Sequence, residues 1–268
     1  MQIDFWKMNG AGNDFVVLDN RDLRYQLSTE QIALLCNRQR GIGADGMLAV
    51  EPAENGADFK MRYYNADGGE AEMCGNGARC FANFVKKIAD VGDSVSFETI
   101  AGVIEATYPN DQVRIQLSEP FDQKMGLNLD VAGQQLQVHS LNTGVPHACV
   151  VVDDVENADI IGLGRAIRMH DEFQPAGTNA NLMQAIAADE ITLRTYERGV
   201  EDETLACGTG MVANAIVHHE LTGATSPIKV NVRGGDQLIV EFEKTDEGYR
   251  NVFLTGPADF TFQGSIDL

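Results

Sequence analysis

The sequence predicts a mixed α+β fold built as two homologous halves, and three observations predict it. The segments Glu70-Ala-Glu-Met-Cys74-Gly-Asn-Gly and Glu203-Thr-Leu-Ala-Cys207-Gly-Thr-Gly share the pattern E-x-x-x-C-G-x-G at a separation of 133 residues, close to half of the 268-residue chain. Upstream, Gly10-Ala-Gly-Asn13-Asp-Phe-Val-Val-Leu-Asp19 aligns with Gly144-Val-Pro-His147-Ala-Cys-Val-Val-Val-Asp153 at an offset of 134. Each half also reads as strands, one helix starting at the cysteine, then strands again, an order that favours α+β domains over regular β-α-β alternation.

Taken in order, residues 14–18 and 148–152 are apolar, β-branched runs of strand length. Ser28-Thr-Glu-Gln31 has capping-box spacing and opens an amphipathic helix with Ile32, Leu35 and Cys36 on one face. Residues 58–64 alternate like a strand. A helix over 76–89 places Phe81, Phe84, Val85 and Ile88 at helical spacing, and 211–221 does the same with Val212, Ala215 and Ile216. Strands are predicted at 94–99, 103–108 and 113–117 in the first half and at 228–232, 237–243 and 251–255 in the second. Residues 179–187 and 190–197 form a predicted hairpin turning at Ala188-Asp189. Residues 119–131 look least structured.

With 40 acidic against 20 basic side chains, the formal charge is −20 and the pI near 4.5. Nucleic acid is thereby disfavoured, because phosphate backbones are bound by clustered Lys and Arg. The sequence shows neither a signal-peptide pattern nor an apolar run long enough to span a membrane, so the expectation is a cytoplasmic protein without membrane partners. In that compartment five cysteines outside CxxC units argue against both disulfides and a zinc knuckle. The histidines offer no metal-ligand spacing, and no metal is expected.

Gly41-Ile-Gly43-Ala-Asp-Gly46 fits G-x-G-x-x-G, yet a helical segment precedes it and a strand follows, the reverse of a dinucleotide site; a helix-to-strand loop is expected. Cys36, Cys80 and Cys149 lie in apolar patterns and read as small buried hydrophobes. Cys74 and Cys207 differ. Each precedes Gly-x-Gly at a helix start, where unbonded amides and the helix dipole stabilise a thiolate or a carboxylate. Two such thiols on opposite sides of a substrate could invert a stereocentre. One as thiolate removes a carbon-bound proton, and the other as thiol returns one to the opposite face. Helix amides aimed at the adjacent carboxylate would stabilise the enediolate. The sequence carries no independent sign of a pyridoxal phosphate lysine, so no cofactor is expected. His147, opposite Asn13 in the repeat, is either a hydrogen-bonded strand residue or a catalytic one.

The segments Lys7-Met-Asn-Gly-Ala-Gly-Asn-Asp-Phe15, Gly41-Ile-Gly-Ala-Asp45, Asn65-Ala-Asp-Gly68, Met73-Cys-Gly-Asn-Gly-Ala-Arg-Cys80, Pro146-His147, Tyr196-Glu-Arg-Gly199 and Ala206-Cys-Gly-Thr-Gly210 together resemble the diaminopimelate epimerases, in order over nearly the whole chain. The resemblance implies two pseudo-symmetric lobes, each a β-barrel-like sheet around a central helix, with the active site in the interlobe cleft. One lobe would be 1–120 completed by 256–268, and the other 121–255. It also implies a homodimer and a cofactor-independent epimerase that interconverts LL- and meso-diaminopimelate on the route to lysine and peptidoglycan. Cys74 and Cys207 would be the acid/base thiols, with Cys74 the base for the LL substrate. The amides of Gly75, Asn76, Gly208 and Thr209 would hold the reacting carboxylate. Glu197 and His147 would orient the amino group beside Asn13, and Asn65, Asn179 and Arg198 would grip the distal end, whose carboxylate suits a forked guanidinium. Two positions depart from the familiar pattern. Val145 replaces an Asn, removing a polar contact at the distal end, and Gly46 stands where some members have Gln. Another amino-acid racemase of this architecture, of histidine or proline type, is the alternative. Proline-type enzymes usually carry C-G-H-G where this chain has Cys74-Gly-Asn76-Gly. A phenazine-type isomerase would lack the cysteine pair, and a non-catalytic binding module would need neither thiol.

Overall fold

Two helices that begin at a cysteine organise the chain, one in each of the units into which it divides: Met1–Ile115 with Gly256–Leu268, and Gln116–Thr255. The computed structural model describes every residue, Met1–Leu268.

In the first unit β1 (Gln2–Gly10) pairs antiparallel with β2 (Asn13–Asp19). Ser28 then opens α1 (Thr29–Cys36) through the predicted capping box, in which its side chain accepts from the Gln31 amide while the Gln31 side chain accepts from the Ser28 amide. The helix buries Ile32, Leu35 and Cys36 and returns the chain to β3 (Gly46–Pro52), parallel to β2. β4 (Phe59–Asn65) is antiparallel to β3. The central helix α2 (Gly75–Ile88) leads to β5 (Ser94–Thr99), parallel to β4, and then to the antiparallel β6 (Gly102–Thr107) and β7 (Val113–Gln116).

The second unit repeats this order. β8 (Phe121–Val131) and β9 (Gln134–Asn142) form a hairpin, and β10 (Pro146–Val151) adds antiparallel to β9. α3 (Ile160–Met169), capped by Asp159, crosses to β11 (Asn179–Ala187), parallel to β10. The predicted hairpin follows as β11 and β12 (Glu190–Glu197), with the short β13 (Asp202–Thr204) on the far edge. α4 (Gly208–Thr222) then leads to β14 (Ile228–Val232), parallel to β12, and to β15 (Gln237–Thr245) and β16 (Gly248–Gly256). The last strand, β17 (Asp259–Asp267), pairs with β1 and so takes in the first unit the place that β8 takes in the second. The fold is mixed α+β as predicted, with parallel pairs only where a helix crosses between strands.

α2 and α4 are buried along most of their length. Phe81, Phe84 and Val85 on α2, and Met211, Val212, Ile216 and Val217 on α4, are fully enclosed, and each large apolar side chain so placed contributes roughly 1.5–3 kcal/mol. Lys86 and Lys87 close α2 at the negative end of its dipole, and Gly223 ends α4 in the left-handed conformation at φ 73°. The Gly41–Gly46 segment is the helix-to-strand loop that its neighbours predicted, since α1 ends before it and β3 begins at Gly46.

One expectation fails. Residues 119–131 are not the least structured stretch: Phe121–Val131 is an eleven-residue strand. Register shifts between Phe121 and Lys124 and between Lys124 and Leu127, with positive φ at Asp122 and Gly126, break its side-chain alternation, so no period of two survives to be seen. α3 and strands β1, β9 and β13 also escaped the sequence reading.

α3 packs on β12 through Gly164, where an added Cβ would lie 2.5 Å from the Tyr196 Cβ. Gly164→Ala is therefore expected to lower the unfolding free energy by about 1–3 kcal/mol despite the better helix propensity of alanine. Urea titration measures this, and equal or greater stability would refute the packing account.

Candidate active site

Cys74 and Cys207 occupy the N-cap positions of α2 and α4 in nearly the same extended conformation, φ −138°, ψ 120° and φ −127°, ψ 108°. Neither side chain caps its own helix, and neither first turn contains an acidic residue. The first-turn amides of Gly75, Asn76, Gly208 and Thr209 therefore stand at the positive helix ends without an intrahelical acceptor, suited to an anion. Cys207 is buried and Cys74 half-buried. The remaining three cysteines are buried as expected, and burial pushes all three thiols up, Cys36 to about 11.

In the first unit Asn13, at the start of β2, meets Asn76 in the first turn of α2. Asn76 Nδ2 donates to Asn13 Oδ1 at 2.7 Å, and Asn13 Nδ2 donates to Asp45 Oδ2 at 3.0 Å. Behind Asn76 lies Arg79, fully buried, which donates to Asn76 Oδ1 at 2.8 Å and to the Pro257 carbonyl at 3.2 Å. Arg79 thereby ties the C-terminal segment to the base of the cysteine helix, aided by Asn83 donating to the Ala258 carbonyl at 2.6 Å. Beyond Asp45, Arg38 bridges Asp45 and Asp14, and Lys7 pairs with Asp14 at 2.7 Å. Burial raises the Asp14 pKa, but the bonds from Arg38 and Lys7 outweigh it and bring the carboxyl to about 2. Asn65 ends β4 opposite Gly46 in register, at the same end of the strands as Asp45, and accepts from the Tyr63 hydroxyl at 2.9 Å. At Gly46 an added Cβ would lie 2.5 Å from the Tyr64 carbonyl oxygen.

In the second unit His147, at the start of β10, lies 2.9 Å from Thr209 Oγ1 through Nε2 and 3.2 Å from Asn181 Nδ2 through Nδ1. Thr209 Oγ1 is 3.6 Å from Cys207 Sγ, and the Thr143 hydroxyl donates to the Thr209 carbonyl at 3.0 Å. Burial, with the charge of Arg198, lowers His147 to about 3, so the ring is neutral at ordinary pH. Glu197 is raised by burial. Asn179 donates to the Pro146 carbonyl at 3.0 Å and accepts from the Arg198 amide at 2.8 Å, so its side chain staples β10 to the end of β12. The Arg198 guanidinium meets the Ala176 carbonyl at 3.0 Å. The other histidines serve locally: His139 Nδ1 accepts from the Gly126 amide, and His218 and His219 contact carbonyls near the end of α4.

The structure thus gathers Asn13, Cys74, Gly75 and Asn76 in one unit, and His147, Cys207, Gly208 and Thr209 in the other. Sequence reasoning missed Arg79, Asp45 and Asn181. A polar residue inside an apolar strand, as in Asn179-Ala-Asn181-Leu-Met, and an arginine on a buried helix three residues after Asn76 were the available signals. No group of three or more His, Cys, Asp or Glu is arranged to hold a metal ion.

Among solved structures the chain resembles a phenazine biosynthesis protein of the PhzF family from Bacillus anthracis, with a TM-score of 0.74 at 15% identity over all of both chains. It likewise resembles a probable proline racemase from Agrobacterium radiobacter K84, with a TM-score of 0.70 at 17% identity over 99% of this chain and 93% of that one. The fold is therefore that of the PhzF and proline racemase group. Within it, the diaminopimelate epimerase profile matches residues 5–120 and 139–261. The diaminopimelate epimerase of Aquifex aeolicus (strain VF5) is 45% identical over 277 residues, 98% of each chain, and that of Chlorobaculum tepidum is 42% identical over 97% of this chain and 100% of its own. The chain belongs to the diaminopimelate epimerase family and is an isomerase.

Because the folded-state pKa of His147 lies below the ordinary 6.5, His147 contributes stability above that value and loses it as pH falls from about 6.5 toward 3. The unfolding free energy should fall over this window less steeply in His147→Gln than in the parent. The His147 ring protons should not titrate by NMR between pH 5 and 9; a midpoint near neutrality would contradict the burial argument.

Proposed function

We propose that the chain interconverts LL- and meso-2,6-diaminopimelate without a cofactor, Cys74 and Cys207 acting as a pair of acid/base thiols. The observation that carries this reading is a cysteine at the N-cap of a Gly-x-Gly helix in each unit, in a chain of this family. For the LL substrate Cys74 removes the α-proton and Cys207 delivers one from the opposite face; for the meso substrate the roles exchange. Acid and base must occupy complementary protonation states, which thiols with a reference pKa of about 8.5 reach near neutral pH. The α-carbanion is stabilised as an enediolate by the amides of Gly75, Asn76, Gly208 and Thr209, whose helix dipoles favour developing negative charge. His147 and Glu197, with Asn13, orient the reacting amino group. Asn65, Asn179 and Arg198 form the distal subsite, in which Arg198 supplies further guanidinium N–H groups beyond the one that meets Ala176. The reading includes work in the cytoplasm, where thiols stay reduced, and a homodimeric assembly.

Incubation with LL-diaminopimelate in D₂O, without added cofactor, should give meso product carrying deuterium at one α-carbon. Exchange into histidine or proline instead would sink the substrate assignment and keep the chemistry. Cys74→Ala and Cys207→Ala should each lose about 10²–10⁴-fold in kcat, whereas Cys36→Ala and Cys149→Ala should stay near the parent rate. The pH profile of kcat/KM should be bell-shaped, and a flat profile from pH 6 to 10 would contradict a thiol pair.

A further inference from the structure

We infer that Asn181, which no part of the proposed mechanism yet uses, is a positioning residue for the Cys207 thiol. It fixes the tautomer of His147 so that Thr209 turns its hydroxyl proton toward the sulfur. This rests on the reading of Cys207 as an acid/base group.

Asn181 is fully buried, and its Nδ2 lies 3.0 Å from the Ala148 carbonyl, which can only accept; the amide orientation is therefore settled. Thr195 supports it by donating to Asn181 Oδ1 at 2.9 Å. The same Nδ2 faces His147 Nδ1 at 3.2 Å, closer than the Asn179 carbonyl at 3.4 Å, so its second N–H goes to that ring nitrogen, which accepts. A neutral imidazole then carries its proton on Nε2 and donates it to Thr209 Oγ1 at 2.9 Å. The hydroxyl, already accepting, has its own proton left for Cys207 Sγ at 3.6 Å. In the opposite tautomer Nε2 would take the hydroxyl proton, and oxygen lone pairs would face the sulfur. Gly210 lets α4 press on this pair, since an added Cβ would sit 2.8 Å from Asn181 Oδ1 and 3.3 Å from His147 Cε1.

The charged and titratable groups around the chain leave its direction intact. Arg198 and burial both disfavour imidazolium at His147. Glu197 lies on the Thr195 face of β12 and is raised by burial, and Cys149, 4.0 Å from Asn181, is a thiol pushed up by burial. His139, cross-strand from Cys149 on β9, is lowered by burial. His218 and His219 sit at the far end of α4.

A donated hydrogen bond stabilises thiolate over thiol. Cys207 is thus the better proton donor when it acts as acid and the better-populated thiolate when it acts as base. The first unit is wired the other way. Arg79 donates to Asn76, Asn76 to Asn13 and Asn13 to Asp45, so its chain runs away from the cysteine helix toward a carboxylate.

Three measurements test the inference. Long-range ¹H–¹⁵N NMR on the ¹⁵N-histidine-labelled protein should show His147 protonated on Nε2 and bare on Nδ1; the reverse tautomer would overturn it. Iodoacetamide alkylation of Cys207 against pH, followed by peptide mass spectrometry, should shift its midpoint upward by about one unit in Asn181→Leu and in Thr209→Val, roughly tenfold slower reaction at neutral pH. Thr209→Ser should restore the parent midpoint. An unmoved midpoint in Thr209→Val refutes the relay even if Asn181→Leu does not fold. Because alkylation reads the thiol without turnover, failure of the relay is distinct from failure of the epimerase reading, which shows as absent deuterium incorporation in the parent enzyme.

Discussion

Much of this structure depends on how a buried helix begins. Any α-helix leaves its first amides without intrahelical acceptors, and a helix enclosed in protein cannot give them all to water. Most helices answer with a side-chain cap, as Ser28 does for α1 and Asp159 for α3. The two central helices start instead at cysteines whose side chains do not cap them, with no carboxylate in the first turn. The positive end of each thus carries neither a cap from its N-cap side chain nor a carboxylate in its first turn. The surrounding strands supply the burial that makes such helix starts tolerable, and Phe81, Phe84, Val85, Val212 and Ile216 hold each helix in place along its length.

Duplication provides two such ends, but the polar shells beneath them have diverged. The position two residues after the cysteine is Asn76 in one unit and Thr209 in the other, and the strand residue facing it is Asn13 or His147. An amide pair can pass hydrogen bonds along but cannot reverse its own donor and acceptor ends when Arg79 fixes one side and Asp45 the other. A hydroxyl with an imidazole can reverse, and here Asn181 removes that freedom. Two thiols in equivalent positions consequently sit beside shells of opposite polarity, a difference that a reaction needing one acid and one base can use.

The duplication, the two cysteine helices, α1 and most of the strands were legible in the sequence because each has a local signal: a repeated motif, a capping box, an apolar period. Phe121–Val131 was not, because two bulges erase the alternation that marks a strand, and the return of the C-terminal segment to the first lobe was readable only from the family resemblance, because the place of β17 beside β1 is fixed by pairing across the whole length of the chain. The same holds for the site. Cys74 and Cys207 announce themselves by Gly-x-Gly, whereas Arg79, Asp45 and Asn181 owe their roles to partners distant in sequence. Asn179 illustrates the converse: the family resemblance implies a place in the distal subsite, whereas its amide is engaged by two backbone groups.

Gly46 shows how a departure from a family pattern can be a packing matter. Where β3 passes β4, a Cβ at this position would meet the Tyr64 carbonyl at 2.5 Å and the Tyr63 ring at 2.9 Å. A backbone carbonyl in a paired strand cannot swing aside as a flexible side chain can, so a longer residue here requires the strands to separate or the tyrosine to move. Tyr63 is held in turn by its hydroxyl bond to Asn65 and by its edge-on contact with the Phe15 ring at 6.3 Å. The glycine, the tyrosine and Asn65 therefore form one packing unit, in which Gly46 cannot be exchanged without disturbing a residue assigned to the distal subsite. Val145 is a different kind of departure. It lies in a turn that the Thr143 amide closes onto the Val145 carbonyl at 3.1 Å, so the backbone there is held without reference to the side chain. An amide-bearing residue at 145 would change what that turn presents without changing how it folds. Of the two departures, Val145 is the one whose side chain can be exchanged without moving the backbone that carries it.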